Sequence, residues 1–123
     1  ITVNGKIITA GNTPIATVGI AAGIADPLNN IAAPTVTITG NDTSGTITIV
    51  AGANTTADEL AELTFNAPFT GKPRVVFSPA NRDSAKVGAY YDATSTTTNS
   101  FSIYTDEAPQ AGKTYEFTYF IVQ

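Results

Sequence analysis

The chain has no cysteine, histidine, methionine or tryptophan. Each absence removes a class of chemistry. Without Cys there is no disulfide framework and no thiolate nucleophile. Without His as well, the Ser-His-Asp and Cys-His arrangements of nucleophilic catalysis cannot be built. Zinc, copper and haem sites lose their usual ligands. Charge is also scarce: Asp, Glu, Lys and Arg make up 13% of the 123 residues, about half the share of an ordinary soluble domain. The net charge is −4, and a nucleic-acid surface needs clustered basic residues instead. Four of the six basic residues do fall between Lys72 and Lys86, and they read as solvated strand ends. No nucleic-acid partner and no cofactor are expected. With no Met and Ile1 at its start, the chain is expected to be a mature form, a proteolytic product or part of a longer polypeptide.

Thr, Asn, Ser, Ala and Gly take the place of the missing charge. Thr suits the solvent face of a strand, and Gly, Asn and Pro suit turns. The length is that of one domain, enough to bury a core without staples. A boundary is expected near Pro34, dividing an N-terminal hairpin and extended apolar segment (1–33) from a β-rich domain (34–123).

Ile1–Thr9 reads as a hairpin, because Asn4-Gly5 between β-rich runs is a strong turn signal. Pro14–Ala25 follows, carrying no charge and too many Thr and Gly residues for a membrane span. Gly19 and Gly23 stand four apart, a spacing that permits close approach. Two readings are open for this stretch. It lies over a hydrophobic surface of its own chain, or over that of a neighbouring subunit, with Ile15, Val18, Ile20 and Ile24 as the assembly residues.

After Pro34 strand signals recur at short spacing. Thr35–Thr39 and Thr46–Val50 alternate apolar and hydroxyl residues around the turn cluster Gly40–Gly45. In that cluster Asn41-Asp42 reads as an Asx-turn rather than an ion site. Leu60–Phe65 reads as a strand with Ala61, Leu63 and Phe65 on one face. Thr56–Glu59 also resembles a helix capping box, but the run is short before Pro68. Arg74–Ser78, bracketed by Pro73 and Pro79, reads as a strand buried on both faces. Val87–Tyr91 and Phe101–Tyr104 are further strands, with a polar loop at Thr94–Ser100. In the last strand Tyr115, Phe117, Tyr119 and Ile121 share one face, and its end is apolar on both, as if entering an interior or an interface. These signals predict an all-β fold: an antiparallel β-sandwich of about seven or eight strands, jelly-roll-like, with a closed barrel as the alternative.

Only carboxylates remain as catalytic candidates: Asp42, Asp58, Glu59, Glu62, Asp83, Asp92, Asp106, Glu107 and Glu116. Most sit in turns or on polar strand faces, where a solvated carboxylate is the ordinary outcome. No Gly-rich phosphate loop or DxDxDG-type calcium loop is present. No catalytic, cofactor or metal residue is assigned, and an enzyme is not expected. Among the aromatics, Tyr90 and Tyr104 are expected on an outward face, open to a glycan ring or a subunit contact.

The order of Gly40-Asn41-Asp42…Gly45-Thr46-Ile47, Leu60…Phe65, Pro73–Asn81, Phe101-Ser102-Ile103 and Thr114–Tyr119 resembles a β-rich module of phage tail fibres and related appendages. The resemblance runs through residues 34–123, and no single motif in it is diagnostic. The stretch before Pro34 is similar to that family's small-residue linker but is longer and richer in Ile, with an Asp26-Pro27 interruption. The resemblance implies a sandwich that often trimerises and sits on a fibre, virion or cell surface; a host-surface glycan is a partner expectation that rests on the tyrosines instead. The resemblance carries over no functional residues. Subunits of surface filaments built by strand complementation and appended carbohydrate-binding modules are the competing expectations.

Overall fold

The computed structural model describes Gly5 and residues 7–123. The hairpin expected at Ile1–Thr9 therefore lies largely outside the described residues. Among the described residues eight strands form two four-stranded antiparallel sheets: β1 (Ile15–Val18), β2 (Thr35–Gly40), β3 (Ser44–Val50), β4 (Glu59–Thr64), β5 (Arg74–Pro79), β6 (Tyr90–Tyr91), β7 (Ser100–Tyr104) and β8 (Thr114–Val122). One sheet has the order β1-β4-β7-β6 and the other β2-β3-β8-β5. Consecutive strands β3 and β4 sit in different sheets, as do β7 and β8. β3 pairs with β8 and β4 with β7. The two central pairs thus lock the sheets together, and the chain is an all-β sandwich.

The alternation seen in the sequence becomes the layering of the core. Ile47 and Ile49 of β3, and Tyr115, Phe117, Tyr119 and Ile121 of β8, point inward and are buried. They meet Leu60, Ala61 and Leu63 of β4 and Phe101 and Ile103 of β7. Ring pairs line the interior: Phe77 lies edge-on to Phe117 of the neighbouring strand at 5.7 Å, and Phe65 edge-on to Phe69 at 4.8 Å. Such edge-to-face geometry is the favoured arrangement of aromatic pairs. At the far side Phe77 reaches Tyr91 at 6.5 Å, tying β5 to β6.

Residues 59–64 form a strand in spite of the helix-favouring sequence. β4 is central between β1 and β7, and pairing on both sides outweighs local propensity. A bulge between Glu59 and Ala61 shifts the register there. That bulge turns both Leu60 and Ala61 into the core, which strict alternation would forbid.

Three local expectations are corrected. β5 is an edge strand, with Val75 buried and Val76 60% exposed; Pro79 is tolerated there because an edge needs fewer ladder donors. Val87–Tyr91 contributes only the two residues of β6. A short helix, α1 (Arg82–Lys86), precedes it. Asn81 caps that helix by accepting from the Ser84 amide at 2.8 Å, while Asp83 and Lys86 match the dipole at its two ends. The outward residues at the end of β8, Phe120 and Val122, are exposed, so of an interior or an interface the interior is excluded.

Candidate interaction surfaces

The N-terminal segment is built into the sandwich. β1 pairs with β4 from Ile15↔Thr64 to Val18↔Ala61. Residues 20–22 form a 3₁₀ turn whose Ala21 and Ala22 are fully buried. Backbone bonds fasten the rest: Gly19 N–H to Leu60 O at 2.9 Å, Gly52 N–H to Ala22 O at 2.7 Å, and a reciprocal pair between Ile24 and Ala53 at 2.8 and 2.7 Å. The two glycines make the fit. A Cβ on Gly19 would lie 2.2 Å from the Glu59 carbonyl oxygen, and one on Gly23 would lie 2.2 Å from that of Ala53. Gly23 also has φ +87°, which L side chains rarely adopt. The close approach allowed by the small residues is thus made to the chain's own backbone.

The large apolar residues of the same segment point the other way. Ile15 is 67% exposed, Ile20 68%, Ile24 58% and Val18 37%. The Asp26-Pro27 interruption is a tight loop closed by two 2.9 Å backbone bonds between Asp26 and Ile31 and by the Asn29 amide on the Asp26 carboxylate. It displays Leu28, 97% exposed. Small side chains inward and branched ones outward is the reverse of a self-contained surface segment, because each exposed Ile or Leu forgoes about 1.5–3 kcal/mol of burial.

Tyr90 and Tyr104, far apart in the chain, are brought together as a cross-strand pair of β6 and β7. Their rings stack at 5.7 Å with an interplanar angle of 19°. Each ring therefore spends a face on the other. Ser100 and Glu62 belong to the same outer face and share a 3.4 Å hydrogen bond.

The acidic candidates are engaged in local structure. Asp42 accepts from the Asn66 and Ala67 amides at 2.7 and 2.9 Å, tying the β2–β3 turn to the loop after β4. This lies beside an open cleft of about 450 Å³ that also reaches Asn12, Thr70 and Gln123. Asp92 accepts from the Thr94 hydroxyl and amide, which hold its carboxyl below the usual range. Asp58 accepts from the Glu59 amide, and Glu116 from Thr48. Among the described residues no three acidic side chains gather to hold a metal ion, and no helix is long and apolar enough to cross a membrane.

Two polar centres escaped the sequence reading. Asn41 is one: its Oδ1 accepts from the Thr43 and Ser44 amides, its Nδ2 donates to Thr9, and its carbonyl accepts the Tyr119 hydroxyl at 2.5 Å. The Asx-turn was legible, but the tyrosine 78 positions away was not. Ser84 is the other, fully buried, donating to Asn81 and accepting from the Glu116 amide, both at 2.6 Å. The spacing Asn81-x-x-Ser84 was its only signal. Compared with known proteins, the chain matches no family model, no curated protein and no solved structure.

Proposed function

We propose that this chain is a structural and adhesive subunit of a virion appendage or capsid decoration, working through assembly with its own kind and through contact with a host surface. The observation that carries the assembly reading is the inverted N-terminal segment, which anchors Ala21 and Ala22 in the core and holds Ile15, Ile20, Ile24 and Leu28 outward. Apolar residues concentrated in this way mark interaction sites. The resemblance of residues 34–123 to tail-fibre modules supplies the location, a virion or cell surface, and favours a trimer. A surface-filament subunit is the neighbouring reading. A carbohydrate-binding role rests on the Tyr90–Tyr104 pair, whose free ring face is suited to a sugar ring.

The test is the absolute mass of the full chain by light scattering, beside the double variant Ile20→Asp, Leu28→Asp. Deleting residues 1–33 would be a poor test, because it removes β1 and two core alanines. Both substituted positions are solvent-facing, where the cost to folding is small. A closed oligomer that the variant loses supports the reading; long polymers support the filament. A 12.7 kDa monomer for both chains, together with glycan binding lost in Tyr104→Ala, would refute assembly in favour of a binding module.

A further inference from the structure

The cleft beside Asp42 holds about 450 Å³, within the ~300–1,000 Å³ of ordinary small-ligand sites. Four stretches of chain build it: residues 10–12, the β2–β3 turn, the loop from Asn66 to Thr70, and Gln123 after β8. These stretches are fastened to one another. The Asp42 carboxylate takes the Asn66 and Ala67 amides at 2.7 and 2.9 Å. The Asn41 side chain donates to Thr9 at 3.0 Å, and the Thr13 hydroxyl to the Gly40 carbonyl at 3.1 Å. Phe69 is held by its amide on the Thr98 carbonyl at 2.9 Å and by the ring of Phe65. Loops fixed in this way on a rigid sandwich lose little freedom when a ligand binds.

The lining selects a ligand by its chemistry. Three side-chain amides, Asn12, Asn66 and Gln123, meet Pro68 and the half-buried Phe69. The Asn12 Nδ2 donates to the Asn66 Oδ1 at 3.1 Å. That bond takes one group from each amide and leaves the Asn12 carbonyl oxygen and the Asn66 amino group, an acceptor and a donor on adjoining side chains. The Gln123 amino group donates to the Thr70 hydroxyl, which leaves the Gln123 carbonyl oxygen as a further acceptor. A sugar hydroxyl both donates and accepts, so neighbouring hydroxyls of one ring match this set, while Pro68 and Phe69 offer apolar surface to the ring's C–H groups. Other ligands fit worse. Among the described residues no lysine or arginine lines the cleft, so an anion would meet Asp42 with no cation to offset it. A cation would find one carboxylate, already engaged by two amides. A purely apolar ligand would strip water from three amides and return no hydrogen bond.

We propose that this cleft binds a neutral sugar residue, such as the end of a host-surface glycan. The proposal rests on the host-contact part of the reading above and not on assembly. It places the sugar away from the tyrosine pair: Tyr104 lies opposite Glu59 at the start of β4, and the cleft follows the other end of that strand, ~17 Å along it.

The test is a heteronuclear NMR titration of the isotope-labelled full chain with the methyl glycosides of glucose, galactose, mannose and N-acetylglucosamine, and with glucuronic acid as the acidic control. At least one neutral sugar should shift the side-chain amides of Asn12, Asn66 and Gln123 saturably, with a millimolar dissociation constant, and glucuronic acid should not. The double variant Asn12→Ala, Gln123→Ala should bind about tenfold more weakly or worse; both side chains are exposed, where the cost to folding is small. If it folds poorly, Asn66→Ala, which keeps the backbone amide bound by Asp42, decides in its place. Tyr104→Ala should bind like the parent. Affinity unchanged in the cleft variants, or equal shifts from glucuronic acid, overturns the proposal. Shifts confined to Tyr90 and Tyr104 overturn the cleft and leave host contact standing on the tyrosine pair. No saturable shift anywhere, from any of these sugars, overturns both.

Discussion

Replacing Tyr119 by Phe isolates one buried hydrogen bond. The ring sits in the core, 6.3 Å from Phe101, and the substitution keeps that packing. What it deletes is the hydroxyl that donates to the Asn41 carbonyl at 2.5 Å. Asn41 is only 7% exposed, so water cannot readily replace the donor. Leaving a buried acceptor unpaired costs about 1–3 kcal/mol. For a domain of this size each kcal/mol moves the melting temperature by about 4 °C, so Tyr119→Phe should melt about 4–12 °C lower. Circular dichroism melts at neutral pH measure this directly. The pH dependence gives a second reading. Burial, with Asp42 nearby, pushes the Tyr119 hydroxyl up from its ordinary 10.0 to about 12. Between those values the unfolded chain has lost a proton that the folded chain keeps, so stability falls as pH rises. The contribution is whole below pH 10 and is lost by about pH 12. Tyr119→Phe lacks it, and the gap between the two proteins should narrow across that window. Tyr115 is also raised, chiefly by burial, and leaves some alkaline loss in both. A variant that melts with the parent, or a gap that stays constant above pH 10, would refute the role assigned to the hydroxyl.

Ser84→Ala should lower stability by about 1–3 kcal/mol, because the Glu116 amide loses its acceptor inside the protein; a lower urea midpoint at an unchanged slope is the expected signature. Gly23→Ala should destabilise by more than ~1 kcal/mol, since it combines a φ of +87° with a 2.2 Å collision on Ala53 O. Faster hydrogen exchange at the Ile24 and Ala53 amides, out of proportion to the rest of the sheet, would locate the damage.

What the sequence reveals depends on the range of the interaction that decides each element. β2, β3 and the first part of β8 alternate, and alternation is a local property with one structural meaning, so their inward faces were readable residue by residue. The helix α1 rests on Asn81, Asp83 and Lys86, also local, but it is five residues long and its signal is buried between strand-like runs. β5 shows a different failure. A proline-bracketed apolar run fits a strand buried on both faces or a protected edge equally well, and only the sheet order decides. The same holds for Tyr90 and Tyr104: that each faces outward follows from alternation, whereas their stacking follows from the β6–β7 register, which no local pattern encodes. The N-terminal segment is the most instructive case. Its glycines and alanines announce close approach without saying to what. The answer is the backbone of Glu59 and Ala53, and it explains why the isoleucines between them stand outward. In a segment whose small residues are pinned against its own sheet, the period of the chain leaves the large ones nowhere else to go, and an exposed apolar row is the geometric consequence that assembly can use.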